Sequence, residues 1–106
     1  MSQSVVKLVH PLDQCPTANS KIRQVMVKGS AERPALAQKL GVKFVAGPFV
    51  LGSEHESLAI VEAANAEAVN EFLMQSGLSQ WNSIRVILAI PLEESMKDLD
   101  KIAPIY

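Results

Sequence analysis

The chain has 106 residues, 48% of them hydrophobic and 20% charged, a balance that fits one globular domain over residues 1–106 and excludes a disordered chain. Ten basic against eleven acidic side chains give a net charge of −1, too little positive charge to track a phosphate backbone, and no apolar run approaches the roughly 20 residues that span a bilayer. Nucleic acid and membrane are therefore not expected partners.

In chain order, Val5 to His10 reads as a first strand, rich in valine and ended by Pro11. Pro11 to Pro16 reads as a loop. Pro16 suits the first position of a helix, which puts Cys15 at or beside the helix N-cap. Ile22, Val25, Met26, Leu36 and Leu40 recur at helical spacing, predicting a helix over about 17–40, kinked near Gly29-Ser30 and Pro34 and stopped by Gly41. Lys43 to Leu51, with Gly47-Pro48 inside it, is a bent edge strand, because proline cannot donate to a ladder. Gly52-Ser53-Glu54 is a hairpin turn. His55 to Ala63 is the next strand, with His55, Ser57, Ala59 and Val61 on its smaller and more polar face. Asn65 caps a second helix that Gly77 stops. Ser83 to Ile90 is a last strand, followed after Pro91 by a short amphipathic turn through Glu93, Glu94, Met96 and Leu99.

The order strand, helix, strand, strand, helix, strand is the α+β, ferredoxin-like βαββαβ pattern with a four-stranded antiparallel sheet. In it the first strand lies between the third and the fourth. The end of the first then adjoins the start of the third, so His10 and His55 become neighbours, and Trp81 and the loop holding Cys15 approach the same edge. Strand four is apolar on both faces, through Ile84, Val86, Ile87, Leu88 and Ile90. A sheet covered by helices on one side only leaves such a strand in want of a second cover, and a sheet-to-sheet homodimer supplies it, with Ile102 to Tyr106 able to pack across the interface.

The chain resembles the dimeric α/β-barrel superfamily. The likeness rests on Gly41-Val42-Lys43 leaving the first helix, Gly47-Pro48-Phe49 on the second strand, Ile60-Val61-Glu62-Ala63 leading into an Asn-capped helix, and Pro-Leu-Glu-Glu at 91–94. The resemblance implies two ferredoxin-like sheets paired face to face. That superfamily includes haem-degrading monooxygenases, small isomerases, stress-response proteins and bare ligand-binding domains, so membership does not choose a chemistry.

His10, Cys15 and His55 supply two imidazoles and a thiolate, a set suited to zinc or another divalent transition metal, with a fourth position open to water or substrate. Convergence of the three rests on the topology, since the spacing from His10 to Cys15 matches no zinc signature. Cys15 alone is also a candidate catalytic nucleophile of a thiol-based redox protein, its thiolate favoured by the helix N-terminus and a nearby imidazole. Glu54 is placed to orient a ligating imidazole. Lys7 and Arg85 on neighbouring strands, with Trp81 as a wall, are candidates for a small-molecule ligand pocket taking an anion. A third reading is a ligand-binding or regulatory dimer without chemistry. A lone cysteine and an N-terminus without a basic start or apolar core lead to the expectation of a reducing, cytoplasmic location.

Overall fold

A computed structural model describes residues 1–106. The first strand, β1 (Ser2–Val9), enters a short turn at Leu12–Gln14 and then helix α1 (Ser20–Leu40). Strands β2 (Lys43–Val50) and β3 (Glu56–Ala63) form a hairpin, helix α2 (Ala66–Gln75) follows, and β4 (Ser83–Ala89) completes the sheet before a short helix α3 (Leu92–Met96). The four strands lie in the order β2-β3-β1-β4, every neighbouring pair antiparallel. This is an α+β fold compatible with a ferredoxin-like arrangement.

Local chemistry accounts for the boundaries. Asn19 and Asn65 accept from the backbone N–H groups of Ile22 and Ala68, at 3.1 and 2.9 Å, capping donors that α1 and α2 leave free at their starts. Gly41 ends α1 at φ 72°, a left-handed conformation that costs glycine nothing, and the Val42 N–H returns to the Ala37 carbonyl at 2.9 Å. The helix is one continuous element through Gly29 and Pro34, and it starts three residues later than the sequence predicts. That offset corrects the placement of Cys15. The thiol does not sit at the N-terminus of α1; Cys15 instead closes the Leu12–Gln14 turn, its N–H bonding to the Leu12 carbonyl at 3.1 Å.

Burial along β1 alternates strictly: Ser4, Val6 and Leu8 are buried, while Val5, Lys7 and Val9 are half-exposed. The even positions face the helices, and in β3 the odd positions Ala59, Val61 and Ala63 do the same. The face of β3 carrying His55 is therefore the core face. Its small side chains leave room for Phe72 of α2, which is 1% exposed and meets Phe44 edge to face with ring centroids 5.7 Å apart. Phe72, fully buried, contributes on the order of 1.5–3 kcal/mol by leaving water, and the half-buried Phe44 less.

The other face of the sheet has no cover within the chain. Neither does the segment from Pro91 to Tyr106, whose residues are all exposed, Ile105 by 90% and Tyr106 fully. The radius of gyration is accordingly 16.4 Å, against about 13 Å expected for a compact chain of this length.

Candidate functional site

At one end of the sheet the ladder runs past Val9↔Glu56 to a final backbone bond, in which the His10 N–H donates to the His55 carbonyl at 3.1 Å. The alternation that buries Val6 and Leu8 turns His10 toward the helix side, and the parity of Ala59 and Val61 does so for His55. His55 stands just before β3 at φ 55°, in the left-handed region at the end of the hairpin turn, so that strand begins one residue later than the sequence suggests. The two imidazoles meet edge to face, with centroids 5.4 Å apart.

Cys15 reaches the same place from the loop after β1. Its carbonyl accepts from the N–H groups of Ala18 and Asn19, at 2.9 and 2.8 Å, which ties the loop to the start of α1 and presents the thiol inward, buried. The ligand atoms of His10, Cys15 and His55 all lie within 4.8 Å of one another. Around a tetrahedral zinc they would stand about 3.4–3.6 Å apart, as follows from Zn–N and Zn–S lengths of roughly 2.0–2.1 and 2.3 Å. A bound ion would have to draw the widest pair together by up to about 1.2–1.4 Å.

The donor chemistry fits a metal on two further counts. His10 Nε2 is buried and has no hydrogen-bond partner, an arrangement that costs free energy until something fills it. The Cys15 thiol is also poised as thiolate, lowered from 9.0 to about 6. The largest cause is the Thr17 hydroxyl, 2.9 Å from the sulfur, followed by the Thr17 backbone and the His10 side chain; burial works against them, and His55 adds a smaller push. Thr17 carries no motif, and its role shows only once the chain turns at Pro16 and sets the hydroxyl against the sulfur.

Trp81 belongs to this end. It is buried after the Leu78–Gln80 turn, and its ring lies 5.3 Å from that of His10, tilted by 53°. Lys7 and Arg85 do not belong to it. They are register partners on β1 and β4, but on the uncovered face of the sheet, and Lys7 pairs there with Glu56 at 3.7 Å. Such a half-exposed pair contributes about 0–1 kcal/mol. Glu54 is exposed in the hairpin turn.

Between the sheet and the two long helices lies a cavity of about 200 Å³, twelve of whose sixteen lining residues are hydrophobic. Trp81 is a wall of it, and Leu8 and Ser57, each two residues from one of the histidines on the same face, line it too. Comparison with protein-family models and with curated proteins finds no match to the chain. No helix is long and apolar enough to cross a membrane.

Proposed function

We propose that the protein is a metal-binding domain that holds one divalent transition ion, zinc being the best match, on His10, Cys15 and His55, with the fourth position left for water or a small-molecule substrate. The observation that carries this reading is the convergence of three ligand atoms within 4.8 Å, on residues that include His10, whose Nε2 is buried without a hydrogen-bond partner. A borderline-soft thiolate with two imidazoles suits zinc, copper, nickel or iron better than calcium or magnesium. Three protein ligands match the count of catalytic zinc sites, where the metal acidifies its fourth-position water.

The working unit in this proposal is a homodimer of the dimeric α/β-barrel type, located in the cytoplasm. Two apolar surfaces support the dimer: the uncovered sheet face, with Ile87 42% exposed, and the unpacked arm from Pro91 to Tyr106, with Leu92, Ile102 and Ile105 exposed. A second copy would cover both at once.

Metal analysis of untagged protein tests the site. Close to one equivalent of metal per chain, lost in His55→Ala and in Cys15→Ala, is the expected result; metal-free protein that fails to take up zinc at micromolar concentration overturns it. A thiol-based activity is the second reading, favoured by the lowered Cys15 titration and needing no metal. In that reading the thiolate reacts with an electrophile directly, and added zinc inhibits the protein.

A further inference from the structure

The lining of the cavity between sheet and helices includes one charged residue. Arg33 of α1 is the only charged residue lining it, and of the remaining lining side chains only Ser57 and Asn82 are polar. The Arg33 guanidinium has no carboxylate partner: the ion pairs of the protein are Lys7–Glu56 and Lys101–Asp98. Its one hydrogen bond runs from Nη2 to the Ser30 hydroxyl, at 2.6 Å. A guanidinium offers five N–H donors in a planar fork and does not give up its charge, so a partly buried one beside an apolar cavity is underused. Burial already disfavours its charged form.

The guanidinium also has a seat in the helix. A Cβ on Gly29 would lie 2.9 Å from Arg33 Nη1 and 3.4 Å from the Ser76 carbonyl oxygen, so the group packs over the bare backbone of Gly29, where α1 meets the end of α2. A glycine inside a helix costs about 1 kcal/mol relative to alanine. Here it makes the room in which the cation lies against the helix, close to the cavity.

We infer that this cavity is a binding site for a small monocarboxylic acid, its carboxylate paired with Arg33 and its apolar body held between Phe72 of α2 and the small side chains of β3. Size sets the class. A dry cavity of about 150 Å³ accommodates benzene, so about 200 Å³ suits a phenyl ring or a chain of five to seven carbons bearing one acid group. Charge narrows it further. One guanidinium neutralises one carboxylate in a two-pronged contact, whereas the second charge of a phosphate would stay unpaired among apolar walls. Trp81 lines the cavity and its ring lies 5.3 Å from that of His10, so the cavity and the candidate metal centre share this side chain. The inference goes beyond the metal-site reading and stands without it.

Trp81 is the sole tryptophan and lines the cavity, so its fluorescence reports occupancy. The experiment titrates phenylacetate and hexanoate, each against its neutral amide, into chelator-stripped and into zinc-loaded protein. The Ala59 and Val61 methyl signals locate the ligand. Both protein forms are expected to bind an acid at least tenfold more tightly than its amide, with shifts at Ala59 and Val61. Arg33→Gln should lower acid affinity roughly ten- to a hundredfold and leave the amide unchanged, the usual loss of a charge-assisted contact. Acid and amide binding equally in the unaltered protein overturns the inference, whatever the folding of the variant. So does the absence of saturable binding of either acid by about 10 mM, or binding that leaves the Ala59 and Val61 methyls unmoved. Failure of the metal site alone leaves the stripped-protein result intact.

Discussion

Replacing Thr17 by valine removes a hydroxyl while keeping the shape of the side chain, and it tests the electrostatics of the site at one atom. The hydroxyl stands 2.9 Å from the Cys15 sulfur and is the first cause of a thiol titration at about 6 instead of 9.0. At pH 7 a group titrating at 6 is about ten parts thiolate to one part thiol, and one titrating at 9.0 is about one part in a hundred. The lowering therefore raises the thiolate population roughly ninetyfold. Reactivity rises far less, because intrinsic nucleophilicity falls with basicity at a Brønsted slope of about 0.4–0.5, and three units of it remove roughly fifteen- to thirtyfold. A net gain of about three- to sixfold in alkylation at pH 7 remains, so population is the cleaner readout. Thiolate ultraviolet absorbance of chelator-treated protein, followed against pH, should show a midpoint near 6 in the native protein and a clearly higher one in Thr17→Val. Thr17→Ser, which keeps the donor, should stay near the native value. A native midpoint close to 9, or identical midpoints in the native protein and Thr17→Val, refutes the assignment of Thr17 as the group that holds the thiolate.

Zinc affinity should follow the same titration: a metal binds thiolate, and the folded thiol is lowered, so the Cys15 contribution is complete well above pH 6 and falls about tenfold per unit below it, as competition with a chelating dye will show. Phe72→Ala should destabilise the fold by about 3–5 kcal/mol, since the ring is 1% exposed at the centre of the helix–sheet contact; urea unfolding at unchanged m value measures it. Gly29→Ala should change stability by less than about 1 kcal/mol, helix propensity offsetting the displaced Arg33 fork, while weakening carboxylate binding in the tryptophan titration. Sedimentation at micromolar concentration should show a species of twice 11.5 kDa, shifted toward the monomer by Ile87→Lys on the uncovered sheet face; an 11.5 kDa species alone excludes the dimer.

The sequence by itself determined the element order, the Asn65 cap of the second helix, the Gly41 stop of the first and the end of the sheet at which the two histidines meet. Those properties are local or topological: Asn65 caps because of its own side chain, Gly41 stops a helix because it lacks a Cβ, and the βαββαβ order leaves few ways to arrange four strands. His10 and His55 follow from register, since the residues just beyond the last ladder pair of antiparallel neighbours must adjoin. Other features depend on through-space packing that no spacing encodes. Cys15 reads as a helix-terminal thiol from Pro16 onward, yet Asn19 won the cap and left the cysteine in a turn of its own, where Thr17 replaces the helix dipole as the source of its acidity. Lys7 and Arg85 look like pocket residues because they are charges in apolar strands, but the two-residue period sends both to the uncovered face, away from Trp81. Arg33 belongs to no motif or spacing that would single it out in the sequence. Only the packing of α1 against the end of α2, over a glycine, places its charge at the edge of an apolar cavity.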